Sequence, residues 1–195
     1  MKFTQLPADA FKEMQLNAGV LLNSFDPKTA TLSRESIIGA TSGGMKFEAK
    51  PTYTDFGDDI DNCPANMMEL KRLDGYEATL SGTFITITPA SAASLVGAAD
   101  VDSQDVAHVV PRADLATTDF TDLWWVGDYS DKNGSTNGGF IAIHLKNALN
   151  TDGIKIKADD EKKGEFDFSY TAHYSMNDPD AVPFELYVKA GTAEA

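Results

Sequence analysis

The stretch Met45-Lys-Phe-Glu-Ala-Lys-Pro-Thr-Tyr53 decides the fold class. Met45, Phe47, Ala49 and Tyr53 alternate with Lys46, Glu48, Lys50 and Thr52. A period of two fits a strand with one face in a core and the other in water. Pro51 has no amide hydrogen, which places the far end of this strand at a sheet edge. Residues 165–174 repeat the pattern, with Phe166, Phe168, Tyr170, Ala172 and Tyr174 opposite Glu165, Asp167, Ser169, Thr171 and His173. Near the C-terminus Phe184, Leu186 and Val188 alternate with Glu185, Tyr187 and Lys189. The strand Tyr76–Ile87 changes phase: Ala78, Leu80 and Phe84 share one face, Ile85 and Ile87 the other. Gly82, just before the switch, predicts a bulge or a strand end covered on both faces.

Working outward, further strands are predicted at 15–25, 36–41, 122–129, 139–145 and 153–158. Helix signals are few. Thr88-Pro89 before Ala90–Val96 and Gly97 supplies an N-cap, a proline at the first position, two turns and a glycine stop. Pro7–Met14 is a second short candidate. The acids are 21 Asp against 9 Glu, beside 15 Gly, a balance that favours turns and strands over helix. The expected architecture is a mainly β sandwich or barrel-like domain, 1–195, with one or two short flanking helices. An N-terminal arm (1–14) and two extended loops (55–75 and 128–139) complete it.

Composition removes whole classes of function. The chain has 195 residues, 42% of them apolar and 24% charged, which is a globular and not a disordered balance. Sixteen basic against 30 acidic residues leave a net charge of −14, unsuited to binding nucleic acid by neutralising phosphates or to seeking an anionic membrane. One cysteine, Cys63, allows no internal disulfide, so a reducing compartment is expected. The first fifteen residues carry Pro7, Asp9 and Glu13 where a signal peptide needs an apolar stretch, and no apolar run is long enough to span a bilayer.

Catalytic and metal templates fail in turn. Gly39-Ala-Thr-Ser-Gly-Gly44 opens like a phosphate loop, but Met45 stands where the lysine belongs and a strand follows. The favoured reading is a glycine-rich turn entering a strand. Cys63 precedes Pro64 with no histidine nearby, and His108, His144 and His173 lack metal spacing. Setting Gly134 as the EF-hand glycine puts Tyr129 and Phe140 where carboxylates must be, which rules that loop out. The acids Asp55, Asp58, Asp59 and Asp61 form a solvated loop that binds calcium incidentally at most. No carboxylate is marked as catalytic by its context, so a non-enzymatic role without cofactor is expected.

Several long blocks, in this order, resemble the major tail tube proteins of long-tailed bacteriophages and prophages: Gln15-Leu-Asn-Ala-Gly-Val-Leu-Leu22, Thr52-Tyr-Thr-Asp-Phe-Gly-Asp-Asp-Ile-Asp-Asn-Cys-Pro64, Glu69-Leu-Lys-Arg-Leu73, Trp124-Trp-Val-Gly-Asp-Tyr-Ser-Asp-Lys-Asn-Gly134, Gly138-Gly-Phe-Ile-Ala-Ile-His144 and Val182-Pro-Phe-Glu-Leu-Tyr-Val-Lys189. The resemblance spans roughly 15–191. It implies a β-sandwich with a flanking helix, hexameric rings stacked into a hollow tube, and an inner wall made of the subunits' sheets side by side. It further implies passage of double-stranded DNA, contacts with a tape-measure protein and tail-end proteins, no membrane binding, and residence in a virion tail assembled in the bacterial host cytoplasm.

On that basis Glu77, Thr79, Ser81 and Thr83 of one strand, and Glu165, Asp167, Ser169 and Thr171 of another, are candidates for the lumen, with an outer solvent face as the plain alternative. Asp55, Asp58, Asp59 and Asp61 are candidates for ring-to-ring contact, together with the N-terminal arm and the C-terminal segment. An acidic subunit also suggests a bore that repels its polyanionic cargo. Rival readings are another virion part such as a tail terminator or decoration protein, a calcium-dependent β-sandwich that binds carbohydrate, and an acid-catalysed hydrolase.

Overall fold

The structure, a computed structural model, describes residues 14–15, 17–102, 107–128 and 139–191. The N-terminal arm with its predicted helix (Met14 apart) and the interior of the 128–139 loop lie outside the described residues.

Among the described residues ten strands and one α-helix follow in order as β1 (Val20–Leu22), β2 (Thr41–Asp55), β3 (Lys71–Phe84), α1 (Pro89–Val96), β4 (Ala99–Asp102), β5 (His108–Pro111), β6 (Thr121–Asp128), β7 (Phe140–Asn150), β8 (Lys155–Lys157), β9 (Glu165–Thr171) and β10 (Phe184–Lys189). The fold is mainly β, as the alternating stretches require. Eight strands form one antiparallel sheet ordered β1-β6-β7-β9-β3-β2, with β10 beside β7 and β8 beside β9; β4 and β5 form a separate hairpin.

The large sheet is folded over on itself through β7. Residues Phe140–Leu145 pair with β6 on one side and β10 on the other, while Leu149 and Asn150 pair with β9. This divides the sheet into a half built of β1, β6, β7 and β10 and a half built of β2, β3, β9 and β8. Leu21, Leu123, Ile143 and Leu145 of the first pack with Ala78, Leu80, Phe84, Phe168 and Tyr170 of the second in one buried cluster. The opposite face of the first half is apolar too. Leu22, Trp124, Val126, Phe140 and Ala142 are covered by Phe25, whose ring lies 5.8 Å from Trp124 and 5.6 Å from Phe140.

Helix α1 follows its sequence signals. Thr88 and Ser91 cap each other reciprocally, Pro89 opens the first turn, and Gly97 ends the last with φ of 94°. Leu95 enters the core, and the Ser94 and Tyr170 hydroxyls meet at 2.8 Å. The buried Asn150 amide donates to the carbonyls of Leu95 (2.6 Å) and Gly153 (2.9 Å) and accepts from the Ser169 amide at 2.9 Å. One side chain thereby ties helix, β7 and β9 together.

Several boundaries differ from the sequence reading, for identifiable reasons. The strand expected at 15–25 reduces to Val20–Leu22, since Gly19 just before it has a left-handed φ of 73° that a strand does not accommodate; there a Cβ would also meet Trp125 Nε1 at 2.5 Å. The strand expected at 36–41 is a single bridge, Leu22 with Ile37, before β2 begins at Thr41. The glycine-rich turn is instead a bulge inside β2. Gly43 (φ 78°) and Gly44 (φ 81°) are inserted between Ser42, paired with Thr83, and Met45, paired with Gly82. That bulge lies opposite the predicted phase change, and β3 ends at Phe84, so Ile85 and Ile87 are not strand residues.

The largest correction concerns 55–75. It is not one loop, because β2 runs to Asp55 and β3 starts at Lys71, with Tyr53 opposite Leu73 and Thr54 opposite Arg72. The paired ends project past β9, whose partners on β3 are Thr79–Phe84. A ribbon with neither face in a core needs no alternation, and Tyr53, which the alternating pattern assigns to the core face, is 54% exposed.

Candidate functional site

Two surfaces stand apart: the outer face of the β2–β3–β9–β8 half and the hairpin that β2 and β3 extend beyond it. On the first, register places cross-strand partners on a common face. Thr83 lies opposite Ser42 and Asp167, Ser81 opposite Lys46 and Ser169, Thr79 opposite Glu48 and Thr171, and Glu77 opposite Lys50. Lys155 pairs with Asp167 and Lys157 with Glu165. All eight predicted lumen residues therefore share one face, directed away from the core. None is fully buried.

That face is not acidic. It carries four lysines (Lys46, Lys50, Lys155, Lys157) and four carboxylates (Glu48, Glu77, Glu165, Asp167). Among the strand residues of this face the lysines offset the acids. Lys46 reaches Glu48 at 2.6 Å, Lys157 reaches Glu165 at 3.3 Å, and Lys155 reaches Asp152 at 3.0 Å. The hydrogen bond from Lys46 holds the Glu48 carboxyl below its usual range, and that to Glu165 raises Lys157. Such exposed pairs add little stability. Hydroxyls fill the rest: Thr83 donates to Asp167 at 2.7 Å, and the Thr151 and Thr171 hydroxyls lie 2.9 Å apart. An open trough of about 520 Å³ crosses the face between Gly43–Gly44 and Asp152–Lys155.

The projecting hairpin has the opposite character. Between Asp55 and Asp74 it bears six acids and two bases, Lys71 and Arg72. Apolar side chains lie open to solvent among them: Tyr53, Phe56, Ile60, Met67, Leu73 and, 82% exposed, Met68. Arg72 sits over the Phe56 ring at 5.1 Å and Lys71 over Tyr53 at 5.6 Å. Asp74, the extra residue where Thr52 pairs with Gly75 and Tyr53 with Leu73, accepts from Thr54 at 2.5 Å and from Arg72 at 2.9 Å. Those bonds, Thr54 first, hold its carboxyl below the usual range.

Asp55, one of the four predicted contact residues, accepts from the amides of Gly57 (2.9 Å) and Asn66 (3.1 Å) and so shapes the tip. Asp58, Asp59 and Asp61 are exposed on it. The exposed apolar residues of the tip escaped the sequence reading. Their signal, Phe56, Ile60 and Met67-Met68 within an acidic stretch, was present but aperiodic.

The histidines are apart. His144 stacks on Trp124 at 4.0 Å, with Nε2 3.1 Å from Asp122; His173 Nδ1 lies 3.1 Å from the Asn147 carbonyl; His108 is in β5. Glu185 accepts from Lys146 and Tyr187, and these bonds, Lys146 first, hold its carboxyl below the usual glutamate range. Among the described residues no group of three His, Cys, Asp or Glu side chains is placed to hold a metal ion. Nor, among them, is any helix long and apolar enough to cross a membrane.

No family model matches the sequence, and no curated protein matches it. Among solved structures, a chain of one described as the virion of a native gene transfer agent particle is similar, with 8% identity and a TM-score of 0.43. The match covers 89% of this chain and 96% of that one.

Proposed function

We propose that the chain is the structural, non-catalytic subunit of a virion tail tube, forming hexameric rings that stack into a hollow conduit for double-stranded DNA. The observation that carries this reading is the β2–β3–β9–β8 half: apolar on one face, polar with equal numbers of lysines and carboxylates on its strands on the other, and ending in strands that, among the described residues, have a partner on one side only. A sheet of that kind can continue from copy to copy, and rotation about an axis closes it. Four strands from each of six copies make a barrel of 24. At about 4.8 Å between strands and about 40° of tilt, its backbone diameter is roughly 50 Å. Side chains reduce the bore to roughly 35–40 Å, wide enough for a duplex.

A neutral wall rich in hydroxyls suits transit. Retention requires lysine and arginine free to neutralise phosphates, and three of the four lysines here are paired with carboxylates. The remaining acidity sits elsewhere, notably on the hairpin, which in this reading reaches the next ring. Exposed apolar side chains supply the contact area there, and the surrounding acids keep the unassembled subunit soluble. A tape-measure protein in the bore and tail-end proteins at its ends are the other partners of this reading. The virion tail, built in the bacterial host cytoplasm, is its location.

Negative-stain microscopy of the purified protein over a concentration series tests the class. Hollow rods of uniform width are expected; globules at every concentration overturn the proposal. Removing the tip (residues 56–62) leaves a folded subunit that no longer forms rods, and undiminished rod growth would show that rings stack without the hairpin.

A further inference from the structure

We infer that a five-residue stretch of β2, Met45–Ala49, is the acceptor for strand β8 of a second copy, and that the Gly43–Gly44 bulge and Pro51 mark its two ends. The inference rests on the tube reading and adds where the copies join.

Backbone direction on β2 follows from two hydrogen bonds. Tyr76, opposite Pro51, gives its amide to the Tyr174 hydroxyl at 2.9 Å, and Ala78, opposite Ala49, gives its carbonyl to the amide of Ala172 at 2.9 Å. Both groups of β3 thus turn away from β2, so Pro51 and Ala49 turn their own groups away from β3. The direction recurs at every second residue, at Phe47 and Met45. Among the described residues no strand lies on that side of β2. The amides of Met45, Phe47 and Ala49 are therefore open donors on an edge, the arrangement that recruits another strand.

The stretch is bounded. Pro51 has no amide to offer. At the other end, Gly43 and Gly44 with positive φ displace two residues from the ladder. Neither glycine has an atom within 4 Å of where a Cβ would sit, so their presence answers to backbone conformation and not to crowding. A bulge and a proline at an edge are devices that end pairing.

Strand β8 fits as the donor. It forms the opposite edge of the same half and, among the described residues, pairs with β9 alone. Direction alternates from β2 through β3 and β9 to β8, so copies related by rotation bring β8 against β2 in antiparallel order. Both faces then continue across the joint. Lys155 and Lys157 fall on the polar side with Lys46, Glu48 and Lys50. Ile156, opposite Phe166, falls on the apolar side beside the neighbour's half-buried Met45 and Phe47. Ile156, a β-branched residue of an edge strand, is 63% exposed in the single chain.

Ala49→Pro removes one outward amide and leaves the β2–β3 ladder whole, as Pro51 already does. Ile156→Asp places a charge in the joint from the other edge, at a position open to solvent in the single chain, and so stands alone if Ala49→Pro does not fold. Each variant is examined by circular dichroism, light scattering behind size exclusion, and microscopy beside the wild type. The expected result is a folded subunit that melts close to wild type and forms no rods. A folded variant that assembles like wild type overturns the inference and leaves the tube reading standing. A wild type that stays solitary at every concentration overturns both.

Discussion

Within the sheet, polar outward residues of β2, β3 and β9 alternate with core-facing ones, whereas in β6 only the end residues Thr121, Asp122 and Asp128 are exposed and in β7 none is. The stretch Leu123–Gly127 has only Trp125 even partly open, and β7 is buried or half-buried throughout. The difference lies in what covers each half. Core and Phe25 segment enclose β6 and β7 from both sides, while the β2–β3–β9–β8 half is covered by the core alone. One half therefore holds the fold and the other presents a surface.

The sharpest way to break that comparison is to truncate one residue from each. Leu145→Ala, at 0% exposure, is expected to cost about 2–5 kcal/mol in urea unfolding, and Thr79→Ala less than about 0.5. Equal costs would mean that the polar face is structural after all. Gly82→Ala probes the boundary between the two faces, since its Cβ would meet the Phe168 ring at 2.8 Å and Met45 Cγ at 3.1 Å. A loss of about 1–3 kcal/mol is expected, and Phe168→Leu in the same chain should return part of it.

The smallest effect is electrostatic. Because Lys146 and then Tyr187 hold Glu185 ionised in the folded state, the carboxylate contributes stability above the ordinary glutamate value of about 4.3. That contribution fades as pH falls through the depressed folded value. The melting difference between wild type and Glu185→Gln should accordingly narrow below about pH 4. A difference that widened on acidification would contradict the assignment.

How far sequence carried the description follows from the same contrast. Strands with one wet face announce themselves, and so the polar positions 77–83 and 165–171 were legible and do share a face. Helix α1 was legible through Thr88, Pro89 and Gly97, whose effects are local. The ends of β2 and β3 were not, since a ribbon free on both sides imposes no period on Tyr53, Arg72 or Leu73. Nor were β4 and β5, whose pairing of Val101 with Val109 buries too little to leave a pattern. Charge balance on the outer face depends on cross-strand partners such as Lys155 with Asp167, and register is a property of the folded sheet. Net charge, a sum over the whole chain, does not reveal it.

The position of β9 also sets the order in which this chain can fold. It lies between β3 and β7 and joins them, yet it follows β3 by a long excursion: Thr83 and Asp167 are 84 residues apart. Until the ribosome has released that segment, β3 and β7 have no common neighbour, and the nascent chain holds two unfinished sheets. Closing so long a loop is slow. The early hairpins β2–β3 and β6–β7 must wait with sticky borders exposed, and for a protein whose finished form also keeps open borders, the cell's concentration of half-made chains decides whether they mature or clump.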